Sequence, residues 1–180
     1  ERFSKTILRV IKTYIEVSTE EAGYTMETAP HGFSFADDDC NLLTPQMYEV
    51  FGYPILKEVF AMCSPNPEDN RYQHSDSAMA HLIPILARLN LTGCNFGPTV
   101  TVEEIRKYMP NTRIDGQLAP FTFMRNKEDD IIAEVKRDCD MIRATGTRGL
   151  NISTAGSINY GSRLTSMRAV MYAIQTYGRY

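Results

Sequence analysis

Phe33-Ser-Phe-Ala-Asp-Asp-Asp-Cys-Asn-Leu-Leu-Thr-Pro-Gln-Met-Tyr48 is the stretch that decides the fold. Phe33–Ala36 is a short run flanked by turn-forming residues, and it reads as a strand. It runs directly into Asp37, Asp38 and Asp39. Thr44-Pro45 then supplies an N-cap and a proline at the first helical position. Met47, Tyr48, Phe51, Ile55, Val59 and Phe60 follow at helical spacing, with a bend expected at Pro54. Strand, acidic turn and capped helix make one βα unit.

The unit recurs along the chain. Strand-like runs at Arg71–His74, Gly93–Phe96, Thr112–Leu118 and Leu150–Ser153 are bounded by Gly, Pro, Asn or Asp. Helical periodicity predicts helices over 77–90, from the capping box Thr101-Val102-Glu103-Glu104, and over 127–144 and 164–177. One more helix, over 3–20, precedes the first strand. Strands alternating with helices imply a parallel sheet with right-handed crossovers. Two α/β architectures satisfy this order. A five-stranded doubly wound parallel sheet fits 180 residues. A (β/α)8 barrel of the TIM type takes roughly 250 residues, so here it would be present only in part. No glycine-rich phosphate loop follows the first strand, and Gly146-Thr-Arg-Gly149 precedes the last one. Nucleotide binding therefore has little support.

Nineteen basic against 22 acidic residues leave a net charge of −3. Nothing in that balance points to nucleic acid or an anionic membrane as a partner. No apolar run approaches the roughly 20 residues that span a bilayer, and no signal peptide opens the chain. A cytoplasmic location is expected. Cys40, Cys63, Cys94 and Cys139 lie far apart and form no CxxC pair, so reduced thiols are expected rather than a zinc ribbon or a disulfide framework.

Polar residues gather where each strand ends. They are Asp37-Asp38-Asp39, then His74-Ser75-Asp76-Ser77, Asn95 before Gly97-Pro98, Asp115-Gly116-Gln117, and Ser153-Thr154 with Ser157, Asn159 and Tyr160 beyond. In a parallel α/β fold these ends lie on one face, where ligands bind. Three adjacent aspartates repel one another, which suggests a cation or a substrate bearing N–H donors. His74-x-Asp76 places imidazole and carboxylate on one side of a strand end, a pair that suits zinc. Cys94 is the best candidate for a third donor on an adjacent strand, although a core thiol is an equal reading. Asp76 or Ser77 as a plain helix cap is the alternative to a ligand role. His31 reads as a loop residue and His81 as a helix-surface residue.

Phe35-Ala-Asp-Asp-Asp-Cys-Asn-Leu-Leu-Thr-Pro-Gln-Met-Tyr48 resembles a strand–loop–helix segment of the uroporphyrinogen decarboxylase superfamily. Tyr53-Pro-Ile-Leu-Lys57, Leu89-Asn-Leu-Thr-Gly-Cys-Asn-Phe-Gly-Pro98, Glu103-Glu-Ile-Arg-Lys-Tyr-Met-Pro110 and Asp115-Gly116 follow in that family's order. His74-Ser-Asp-Ser77 is similar to the His-x-Cys segment of its corrinoid-linked methyltransferase branch. The resemblance implies that residues 1–180 are a single domain, the C-terminal portion of a (β/α)8 barrel with about five βα units. It implies an enzyme, a methyltransferase acting on a methylated small molecule or corrinoid, or else a tetrapyrrole decarboxylase (a lyase). A non-catalytic tetrapyrrole-binding protein is the third possibility.

On the methyltransferase reading, zinc would sit at His74 and Asp76 and a corrinoid would serve as methyl donor or acceptor, with a corrinoid protein as partner. A decarboxylase would need no cofactor. Asp76 stands where that branch has its first cysteine, and Ser153-Thr-Ala-Gly-Ser157 lacks the later one. His74, Asp76, Asp37 and Asp38 are the expected catalytic residues. Asn95, Asp115, Gln117, Ser157 and Tyr160 are expected to position substrate. An unclosed barrel would leave two unpaired strand edges, at Phe33–Ala36 and Leu150–Ser153, and self-association through them is expected.

Overall fold

The computed structural model describes residues 2–179. Helix α1 (Arg2–Glu21) leads into β1 (Phe33–Ala36), α2 (Pro45–Phe51) and α3 (Tyr53–Cys63). Strand β2 (Arg71–His74) is followed by a short α4 (Ile83–Leu86), then β3 (Gly93–Asn95) and α5 (Val102–Tyr108). Strand β4 (Arg113–Leu118), α6 (Pro120–Met124), α7 (Glu128–Ala144), β5 (Leu150–Thr154) and α8 (Leu164–Tyr177) complete the chain.

All five strands are parallel and pair in strict chain order, β1-β2-β3-β4-β5. A doubly wound sheet would reverse that order at a switch point and cover both faces with helices. Here the alternating side chains sort by chemistry. Phe33, Phe35, Cys94, Ile114 and Leu150 point into the helical layer, where they join Tyr48, Leu56, Phe60, Leu82, Leu86 and Ile105 in one apolar core. Leu118 and Ile152 meet α6, α7 and α8 in a second core with Phe123, Ile131, Val135 and Ala173. The other face carries Ser34, Tyr72, His74, Asn95, Arg113, Asp115 and Asn151, and Ser34, Arg113 and Asn151 there are exposed. Sequential order with one helical face and one polar, concave-type face is the arrangement of a barrel wall. The fold is an arc of a TIM-type barrel, and the doubly wound alternative is set aside.

The predicted strands are all present, with ends within a residue. Two helices differ. Helix 45–60 is not bent at Pro54 but broken two residues earlier: α2 ends at Phe51 with Gly52 as its cap, and Pro54 lies in the first turn of α3, where its missing N–H costs nothing. Gly52 is needed at that junction, because a Cβ there would lie 2.4 Å from the Tyr48 ring. The expected helix over 77–90 is reduced to α4 between two 3-10 turns, Ala80–Leu82 and Ala87–Leu89. Thr101 and Glu104 form the predicted capping box reciprocally. The four cysteines are free. No helix among the described residues is long and apolar enough to cross a membrane.

Candidate active site at the strand ends

Parallel register places His74 beside Asn95 at the carboxyl ends of β2 and β3. Just past β2 the chain turns so that Asp76 Oδ1 lies 3.2 Å from His74 Nε2. The backbone N–H of Asp76 donates to Asp38 Oδ1 at 2.7 Å. One donor atom from each of Asp38, His74 and Asp76 fits within a mutual 4.8 Å, the one such group of three found among the described residues. His74, Asp76 and Asn95 line a cleft of about 290 Å³, closed on its far side by Thr154, Gly156 and Ser157 from the end of β5.

Glycine makes that closure feasible. Gly156 has φ +125°, and a Cβ there would stand 2.8 Å from Asp76 Oδ2. The β5 loop therefore lies directly on the Asp76 carboxylate. Gly97 plays a similar part behind it, since a Cβ would meet the carbonyl oxygens of Asp76 and Ser77 at 2.5 Å.

Asn95 is 5% exposed. Its amide donates to the Asp115 carbonyl and, at 3.4 Å, to the Thr154 carbonyl, so it ties β3 to the middle of β4 and the end of β5. Its Oδ1 is buried without a partner. A buried acceptor left unpaired costs roughly 1–3 kcal/mol, and a ligand N–H or O–H in the adjoining cleft would relieve that cost.

The aspartate run does not act as one cluster. Asp38 reaches Asp76. Asp37 turns the other way, and its Oδ1 accepts the Cys40 N–H at 3.1 Å, closing the 3-10 turn Asp39–Leu42. Burial pushes the Asp37 carboxyl above its ordinary value, only partly offset by that hydrogen bond. Asp39 is exposed. Cys94 is not a third donor. It is buried in the helix-side core, on the face opposite His74, and burial pushes its thiol up to about 12. Asp76 caps no helix, because residues 77–79 are not helical.

The expected substrate-positioning residues divide. Asn95 and Ser157 line the cleft. Asp115 is neutralised on the polar face of the sheet: Arg113 binds it through Nε and Nη at 3.0–3.1 Å, and Asn151 donates to it at 3.0 Å. Gln117 is buried and donates to the carbonyls of Gly97 and Val100, so it braces the β3–α5 loop from behind. Tyr160 is fully exposed and does not reach the cleft. Thr154 belongs to the polar strand ends noted in the sequence, but neither it nor Gly156 was expected to line the site. The small-residue run Ser153-Thr-Ala-Gly-Ser157 after the last strand was the available signal, because only small residues let two strand-end loops meet. His31 pairs with Asn66 and Asp69, and His81 Nε2 lies 3.0 Å from the Leu43 carbonyl, so both are structural.

A family model described as Uroporphyrinogen decarboxylase (URO-D) matches residues 4–177. The chain belongs to the uroporphyrinogen decarboxylase family. A solved methyltransferase from Methanosarcina mazei superposes on it with a TM-score of 0.64 and 16% sequence identity, over 83% of this chain and 43% of the other. At that identity the likeness speaks for the fold. The chain thus spans less than half the length of that relative. No curated protein matches the sequence. Within the uroporphyrinogen decarboxylase family fold, the cleft at His74, Asp76 and Asn95 occupies the carboxyl ends of the strands, where parallel α/β barrels carry their chemistry.

Proposed function

We propose that this chain carries part of the active site of a methyltransferase-like enzyme of the uroporphyrinogen decarboxylase family, acting on a methylated small molecule or a corrinoid. We read the chain as the C-terminal portion of that enzyme's barrel. The convergence of Asp38, His74 and Asp76, the last two of which line the strand-end cleft, carries the reading. The cleft is open, with about 290 Å³ of space in which His74, Asp76 and Asn95 can meet a polar group of the substrate.

The donor set decides which metal suits the site. Two carboxylates and one imidazole offer oxygen and nitrogen, and no thiolate reaches the cleft. A thiolate-rich zinc centre does not fit these residues. A harder divalent cation held by Asp38, His74 and Asp76 does. Such a cation supplies Lewis-acid polarisation of a heteroatom that gains or loses a methyl group. The chain's own residues do the rest. Asp38 fixes the Asp76 loop through its backbone N–H. Asn95 Oδ1 accepts a donor on the ligand. Thr154 and Ser157 bring hydroxyls to the far wall, where they orient a polar substrate.

One observation favours a second reading, tetrapyrrole decarboxylation. Asp38 and Asp76 put carboxylates where pyrrole N–H groups would be accepted, and this needs no metal. Titrating the purified chain with Zn²⁺ and Mn²⁺ by calorimetry separates the two. Binding near one equivalent that is lost in His74→Ala and Asp76→Ala supports the metal reading. No binding of either ion, with retained binding of a porphyrinogen, overturns it in favour of the second.

A further inference from the structure

A second cavity lies at the opposite ends of the strands. An open groove of about 510 Å³ runs between α3 and the 3-10 turn Ala87–Leu89, beside Arg71 at the start of β2. Its α3 wall is Tyr53, Lys57, Phe60, Ala61 and Ser64, which share one helical face by spacing. Helix α1 meets a different face of α3, at Pro54, Ile55 and Glu58. The groove is therefore centred on β2, inside the arc. Strands added beyond the open edges, β1 and β5, would not stand in it.

Three cations line this groove, Lys57, Arg71 and Arg88, and no carboxylate does. In a chain of net charge −3 that reverses the general balance. Glu49 partly neutralises Arg88 at 2.6 Å, and the Arg88 guanidinium lies 4.3 Å from the centre of the Tyr53 ring, which fixes its plane. Lys57 and Arg71 have no ion pair among the described residues. Arg71 is nonetheless held in place. Its guanidinium donates to the carbonyls of Ser64, of Asn66 at 2.6 Å and of Pro67 at 3.3 Å. These three bonds leave part of a five-donor fork unused. Neutral carbonyls orient the fork without cancelling its charge. The amino-end face of a barrel ordinarily serves stability, but like charges gathered without counter-ions repel one another and do not serve it.

We propose that this groove binds a small phosphate monoester with an apolar or aromatic body. Two cations without counter-ions call for a dianion. A phosphate monoester carries about −1.5 to −2 charges near pH 7 on one group with three acceptor oxygens. Lys57, Arg71 and Arg88 come to it from α3, β2 and the 3-10 turn, and charge-assisted hydrogen bonds of this kind are the strong ones. A single carboxylate answers only one charge. Phe60, Ala61 and Leu89 give the groove an apolar side for the organic body. The site is separate from the strand-end cleft. Arg71 opens β2 and His74 ends it, a span of roughly 10 Å. The inference does not depend on the chemistry proposed for the cleft.

Calorimetric titration of the purified protein, without added metal, with phenyl phosphate, inorganic phosphate and benzoate tests this. Phenyl phosphate should bind near one equivalent. It should bind more tightly than inorganic phosphate, which lacks the apolar body, and than benzoate, which carries one charge. Lys57→Glu should raise its dissociation constant about tenfold or more. Lys57 is exposed and unpaired, so far-UV circular dichroism should be unchanged. His74→Ala, at the other end of β2, should leave phenyl phosphate binding as it was. No binding of phenyl phosphate overturns the proposal, as does binding indifferent to Lys57→Glu. Loss of binding in His74→Ala also overturns it, by placing the ligand in the strand-end cleft. Benzoate bound as tightly as phenyl phosphate overturns the choice of a phosphate, and inorganic phosphate bound as tightly overturns the apolar body.

Discussion

The Asp38 carboxylate accepts the backbone N–H of Asp76 at 2.7 Å, although the two residues are 38 apart in sequence. This one bond sets the end of the β1 loop against the end of the β2 loop. It uses only one lone pair of one oxygen, so the carboxylate retains capacity to hold a cation or a ligand donor. Asp38→Asn keeps an oxygen acceptor for that N–H but removes the charge. It should leave unfolding free energy within about 1 kcal/mol while weakening Zn²⁺ or Mn²⁺ binding at least about tenfold. Asp38→Ala should lose both. Calorimetric titration beside urea unfolding checks the pair.

Gly156→Ala should damage the cleft from the opposite wall. The residue would carry a side chain at φ +125°, and its Cβ would press on the Asp76 carboxylate at 2.8 Å. The backbone conformation alone costs on the order of 1–3 kcal/mol. Thermal unfolding should register this, and cation binding should fall because Asp76 has to move away from His74.

Asp138 gives a pH dependence remote from the cleft. It is 1% exposed in α7. Burial raises its carboxyl to about 6, against the attraction and hydrogen bond of the adjacent Arg137. Because the folded value exceeds the unfolded one, the folded chain holds this proton more tightly. The contribution to stability is full below about pH 4 and is lost as pH rises through about 6. A shift of this size corresponds to roughly 3 kcal/mol. Asp138→Asn should remove that slope, so its stability relative to the parent should rise between pH 4 and 7. Melting curves of both chains across that range would show it, and parallel curves would contradict it.

Arg106 is the polar linchpin of the β4 region. It is buried in α5, and its guanidinium donates to Thr147 Oγ1 at 2.9 Å and to the carbonyls of Met109, Thr112 and Arg148. A lysine has one donor group and cannot span acceptors spread over the end of α5 and the loop before β5. Arg106→Lys should therefore destabilise the fold by about 3 kcal/mol, from buried carbonyls left unpaired. Chemical denaturation of the variant measures the loss.

How much of this was legible beforehand varies with the range of the interaction responsible. Thr44-Pro45 and Thr101-to-Glu104 are local signals, and the helices began where they said. The strands were readable because each is a short run between turn residues. The helix over 77–90 was overread. Its apolar spacing is real, but Pro84 and the turn residues before it leave only Ile83–Leu86 in α geometry. In the site, the His74–Asp76 pairing followed from two residues on one strand end. The third member did not, because Asp37, Asp38 and Asp39 are equivalent in sequence and only the loop's path chooses Asp38. Cys94 was one residue out of phase, and period two sent it to the other face. Gly156 was hidden because the need for a missing side chain appears only when another loop is seen against it.

Strict chain-order pairing of the strands also governs how the molecule can be built. Partner residues lie 38, 21, 20 and 36 positions apart from one strand pair to the next, as in Phe33 with Arg71, Tyr72 with Gly93, Gly93 with Arg113 and Ile114 with Leu150. Among these five strands, each finds its partner in the adjoining βα unit. Each βα unit closes a loop of modest entropy onto the one already in place. Strand β4 spans the two apolar cores, with Ile114 in the first and Leu118 in the second. Assembly can then proceed by accretion in the direction of synthesis, with α7 and β5 anchored to the first core through Ile142 and Leu150.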